Sequence, residues 1–177
     1  MNKNTNIYHL IQRGHYKQNI FIDNEDFIKF LSLMTKYKDK YTIEIITYCL
    51  MTNHYHLLVK GQNISLFMQL LNRTYSAYFN KKYDKIGTLY QGKYTSVYIK
   101  DKESFLIVFK YILNNPKNPE TYPWCGFSDI KQNYHDWNIE IINKIHSLKG
   151  YSNPSLAITL LGGKDNTLEF IKKEPGH

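Results

Sequence analysis

The chain has 177 residues, 42% of them hydrophobic and 21% charged, which is enough apolar material to bury a core without staples and too much for a disordered protein. Its formal charge of +8 favours a polyanionic partner, nucleic acid foremost, although scattered solubilising lysines explain the same excess. Two cysteines, Cys49 and Cys125, exclude a zinc ribbon, a CxxC redox pair and a disulfide framework; with no apolar run of ~18 residues and no apolar leader, the expectation is a cytoplasmic protein without membrane contact.

Ile7 to Gln12 reads as a first strand, rich in β-formers and stopped at Arg13-Gly14. From Asn24 to about Lys38, Phe27, Phe30, Leu31 and Met34 recur at helical spacing behind Asp23 or Asn24 as cap, with Glu25 and Asp26 in the first turn. Thr42 to Leu50 is dense in β-branched residues, and Tyr55 to Val59 follows after a short Met51-Thr52-Asn53 break, so the two form neighbouring antiparallel strands. Ile64 to Lys82 carries a helical stripe of Phe67, Leu70, Leu71, Tyr75, Tyr78 and Phe79, with Arg73, Lys81 and Lys82 on its other side. Leu89 to Ile99 alternates loosely and suits a twisted strand kinked at Gly92. A last core helix bears Phe105, Leu106, Val108, Phe109, Ile112 and Leu113, and Pro116 ends it.

This order of strands and helices predicts an α+β fold, an antiparallel sheet backed by helices. Residues 1–130 form the core domain, and residues 131–177 a C-terminal helical extension. Within the extension, Asn133 to Lys149 and Pro154 to Leu161 read as helices, and the Gly162-Gly163 break with its charged end reads as mobile.

Two constellations can carry chemistry. In His54-Tyr55-His56 the two-residue period of a strand points both imidazoles to one face, flanking one metal position. Read alone, the pair is as well explained by two hydrogen-bonded histidines. In Tyr111-Ile112-Leu113-Asn114-Asn115-Pro116, Tyr111 and Asn115 lie four apart and so on one helical face, where a phenol and an amide oxygen can meet the same site. With 16 tyrosines in the chain, Tyr111 alone reads more readily as a packing residue with a hydrogen-bonded hydroxyl. Basic and aromatic residues also interleave around Arg13, Arg73, Gln91 and Lys93, a mixture that holds phosphates and stacks on unpaired bases.

Together these segments resemble the HUH transposases with one catalytic tyrosine, in particular the REP-associated tyrosine transposase branch. The likeness covers about residues 6 to 130 and rests on four blocks: Tyr8 to Gly14, Tyr48 to Val59, Gly87 to Ser96, and Tyr111 to Pro116. It implies a ferredoxin-like core, His54, His56 and Asn115 as ligands of a divalent metal, Mg2+ or Mn2+, and Tyr111 as nucleophile. It further implies cleavage and rejoining of single-stranded DNA beside hairpins, typically repetitive palindromes, through a 5′-phosphotyrosine, by a monomer or a homodimer. The expected DNA contacts are Arg13, Arg73, Lys81, Lys82, Gln91, Lys93, Lys110 and Lys117. Thr52 stands where relatives often have proline and Lys93 where they often have arginine, and lysine loses the two-pronged phosphate contact. Two rival activities use the same residues differently: a silent hairpin-binding protein, and a metal-dependent phosphodiesterase that activates water.

Overall fold

The computed structural model describes residues 6–127, 130 and 152–172. Strand β1 (Ile7–Arg13) leads through a 3-10 turn into helix α1 (Asn24–Tyr41). Asp23 caps α1 by accepting from the Asp26 amide, and the Asp26 carboxylate reaches back to the Asp23 amide, a reciprocal capping box. Thr42 closes the helix in the left-handed conformation. Strands β2 (Glu44–Met51) and β3 (His54–Lys60), helix α2 (Ile64–Lys82), strand β4 (Thr95–Tyr98) and helix α3 (Lys102–Leu113) follow. Asp101 caps α3 through the Ser104 amide.

The four strands form one antiparallel sheet in the order β2-β3-β1-β4. Since β1 and β2 both run antiparallel to β3, they are parallel to each other, and α1 crosses over the intervening β3, the split βαβ arrangement of a ferredoxin-like core. The expected α+β fold is present.

Side-chain alternation sends Leu10, Tyr55, Leu57 and Val59 to one face, where they pack with Phe30, Leu31 and Met34 of α1 and Phe67, Leu71 and Tyr75 of α2. The opposite face presents Ile7, Ile46, Cys49 and Leu58 to Phe105, Phe109 and Ile112 of α3. This division matters for function, because odd positions of β1 and even positions of β3 share the α3 face.

The segment expected as one strand from Leu89 to Ile99 pairs continuously only over β4. Tyr90 bridges Gly14 and Thr95 pairs with Ile11, so five steps on this segment oppose three on β1. The surplus bulges out around Gly92, which takes a left-handed φ of 66°, and the Gln91 and Lys93 side chains are exposed there.

Among the described residues of the extension, helices α4 (Ser155–Leu160) and α5 (Lys164–Lys172) cover the α3 face. The segment after Gly162-Gly163 is thus a packed helix rather than a loose end: Ile171 is buried and Asn114 donates to its carbonyl. The helix read over Asn133 to Lys149 lies outside the described residues. Among the described residues no helix is long and apolar enough to cross a membrane.

Candidate active site

His54 opens β3 opposite Arg13, and His56 lies two residues on, opposite Ile11. Both therefore face α3. His9 lies on the same face of β1, two residues from Ile11 and so diagonal to His56, within reach of a long side chain. Its Nε2 stands 3.0 Å from His56 Nδ1 in a buried contact.

Helix α3 brings Tyr111 over this pair. The phenol ring meets His56 nearly edge-on with centroids 5.4 Å apart, and His9 at 6.1 Å. Tyr111 nevertheless stays 52% exposed, so a large substrate can reach it. α3 itself ends at Leu113 with Asn114 as its cap, which places Asn115 just past the helix rather than on it. A turn in which the Asn115 amide bonds to the Ile112 carbonyl still carries its side chain inward, and Asn115 Oδ1 comes within 3.2 Å of His54 Nε2.

The polar atoms are incompletely satisfied in a way that fits a cation. His54 meets two oxygens, Asn53 Oδ1 at 2.6 Å from Nδ1 and Asn115 Oδ1 at 3.2 Å from Nε2, yet a neutral imidazole has one N–H to give. His56 Nε2 is buried with no hydrogen-bond partner, an arrangement that calls for an explanation such as an ion. Burial keeps these rings neutral and so able to donate lone pairs: it pushes His9 down to about 4 and, helped by His9, His54 and Arg13, pushes His56 down to about 3. Burial also lowers His54, with Arg13 adding to the shift against the opposing bond to Asn115. Among the described residues no three His, Cys, Asp or Glu side chains gather as a metal group. What does come together is His54 Nε2 with Asn115 Oδ1 and the His54 ring with the His56 ring, whose centroids lie 5.1 Å apart, while His9 spends its Nε2 on His56.

The basic residues divide. Arg13 is exposed beside His54 at the rim of the site. Arg73 and Lys93 line a groove of about 460 Å3 between α2 and the bulge, with Asn72, Ser76 and Tyr94. Lys81 and Lys117 are exposed. Lys110 is half-buried with its ammonium 5.2 Å over the Phe170 ring of α5. Lys82 belongs to a structural network instead: it pairs with Asp23 at 2.8 Å, Asp26 at 3.0 Å and Glu25 at 3.4 Å, tying the end of α2 to the start of α1. Sequence reading therefore placed Lys82 on a DNA surface where the fold uses it as a clip. It also passed over His9, whose only signal was a histidine at an inward position between Ile7 and Ile11.

The profile of the IS200-like transposase family matches residues 2–115, a span that ends on Asn115. No curated protein matches the chain. Among solved structures, it is similar to a REP-associated tyrosine transposase bound to a REP hairpin, with a TM-score of 0.61 at 12% identity over 77% of this chain and 86% of that one. A protein from Deinococcus radiodurans, described provisionally as a transposase, aligns with a TM-score of 0.45 at 18% identity over 62% of this chain and 90% of that one.

Proposed function

The chain belongs to the IS200-like transposase family, and we propose that it cuts and rejoins single-stranded DNA with Tyr111 as nucleophile. The observation that carries this reading is the half-exposed Tyr111 ring standing 5.4 Å from His56 of the same chain. A tyrosine ring held against unprotonated histidines and open to solvent supports a reading in which its hydroxyl attacks a backbone phosphate.

In the proposed step the Tyr111 oxygen attacks phosphorus, its proton leaves to solvent or a neighbouring base, and the bond from phosphorus to the 3′ oxygen breaks, that oxygen taking up a proton from solvent. The products are a 5′-phosphotyrosine and a free 3′ hydroxyl. Attack by a 3′ hydroxyl on the phosphotyrosine reverses the chemistry and restores Tyr111, so the phosphodiester bond energy is conserved and no nucleotide is consumed.

A divalent cation would be held by His54 Nε2, His56 Nε2 and Asn115 Oδ1. Mg2+ or Mn2+ there would supply Lewis acidity to the scissile phosphate. Two imidazoles favour Mn2+ by affinity. Arg13, at the rim beside His54, steers the phosphate toward Tyr111 through its charge. The substrate proposed is DNA with unpaired bases beside a hairpin. Its support is the family, the basic surface and the likeness to a transposase bound to a hairpin.

The test is a denaturing gel of labelled hairpin DNA with an unpaired flank, incubated with protein and Mn2+. The expected result is a slow, protease-sensitive band that Tyr111→Phe abolishes. Cleavage without that band assigns the nucleophile to water, and binding without cleavage makes the protein a silent hairpin binder.

A further inference from the structure

His9 touches His56, not the proposed cation, and nothing in the chemistry above uses it. We infer that His9 is a positioning residue: it accepts the Nδ1 proton of His56, and so keeps His56 Nε2 bare and turned toward the space beside Tyr111. The inference rests on the metal-assisted reading for its consequence, but its geometry stands alone.

With His9 Nε2 3.0 Å from His56 Nδ1, one nitrogen must donate and the other accept. If His9 donated, the neutral His56 would carry its remaining proton on Nε2, leaving a buried N–H with no acceptor and no lone pair for a ligand. If His56 donates, Nε2 becomes a free lone pair on the same face as His54 Nε2 and Asn115 Oδ1. Only this second arrangement lets all three act on one ion. A metal-ligating histidine is held in this way when its second nitrogen donates to a fixed acceptor, and loss of such an acceptor lowers metal affinity by about 10–100-fold.

His9 is a well-fixed acceptor. It is 6% exposed on a strand paired on both sides, with Leu58 opposite it on β3 and Val97 on β4. Burial and the contacts with the His56 and Tyr111 rings leave its ring little room to turn. One residue thus fixes both the tautomer of His56 and the wall against which Tyr111 rests.

Two measurements on the full chain test this. First, long-range proton–nitrogen correlation spectra of histidine-labelled protein at neutral pH, without metal, report the tautomer directly. His56 is expected with its proton on Nδ1, and a proton on Nε2 overturns the inference. Second, Mn2+ binding followed by electron paramagnetic resonance is expected to weaken by about 10–100-fold in His9→Leu and to recover largely in His9→Gln, whose amide oxygen can take the place of the acceptor nitrogen. Equal affinity in wild type and a folded His9→Leu overturns it. Absence of Mn2+ binding in wild type together with the expected tautomer defeats the metal reading of the site and leaves the role of His9 toward His56 standing.

Discussion

His54 Nε2 and Asn115 Oδ1 lie 3.2 Å apart across 61 positions of sequence, a hydrogen bond when that nitrogen carries the ring proton and a pair of lone-pair donors when the proton sits on Nδ1. In the proposed metal-bound state the second form holds, and Asn115→Ala removes one donor. Mn2+ affinity is expected to fall by at least about 10-fold, with the thermal midpoint nearly unchanged because the residue is only half-buried. Asn115→Asp puts a charged oxygen in the same place and is expected to bind Mn2+ more tightly than wild type. Calorimetric titration of both variants checks the pair, and an alanine variant that binds like wild type removes Asn115 from the ligand set.

The buried histidines make stability depend on pH. In the unfolded chain His9 and His56 take up protons near pH 6.5, whereas in the folded chain they resist until about 4 and about 3. The unfolded state therefore binds more protons between these limits. Stability is full above about pH 6.5, falls as pH drops through that window, and levels off below the folded values. Urea unfolding in the presence of a chelator is expected to show a loss on the order of 2 kcal/mol or more between pH 7.5 and pH 5. His9→Gln, with one titrating ring fewer, should lose less. An unfolding free energy that stays flat over this range contradicts the neutral, buried pair.

Lys82 offers a prediction about the scaffold. Asp26 is fully buried and accepts from the Ile22 amide at 2.8 Å, Tyr83 Oη at 2.7 Å and Tyr78 Oη at 3.1 Å, with Lys82 as its cationic partner. Lys82→Ala leaves that buried carboxylate without its counter-charge, at an expected cost of about 2–4 kcal/mol. The denaturation midpoint should drop accordingly, while the salt dependence of DNA binding stays as in wild type. A variant as stable as wild type but weaker on DNA would return Lys82 to the DNA surface.

What the sequence made legible was what is periodic or local. The stripe from Phe67 to Phe79 placed α2 at its observed bounds, and the alternation of His54, Tyr55 and His56 placed both imidazoles on one face. What escaped depends on distant partners. His9 acquires meaning only through a diagonal neighbour on β3, and Lys82 only through Asp23 and Asp26, more than fifty positions earlier. β4 came out shorter than expected because local propensity could not show that Gln91 to Tyr94 leaves the ladder. α5 was hidden by the glycine pair before it, although Thr167 and Ile171 already had the four-residue spacing of a buried face.

Arg73 and Lys93 are exposed, have no ion-pair partner among the described residues, and share the groove between α2 and the bulge. If each holds a backbone phosphate of an unpaired strand, each alanine substitution reduces the slope of log affinity against log salt by about 0.7. It should also weaken binding to all sequences alike, since phosphates carry no base identity. Ser76, on the same groove wall, can read a base edge, and its substitution should alter sequence preference while leaving the salt slope intact. Lys93→Arg adds a planar two-pronged donor and is expected to tighten binding. Fluorescence anisotropy over about 50–200 mM salt measures each slope. Unchanged slopes in both alanine variants would move the bound strand away from this groove, leaving Arg13 and the exposed Lys81 and Lys117 to carry it.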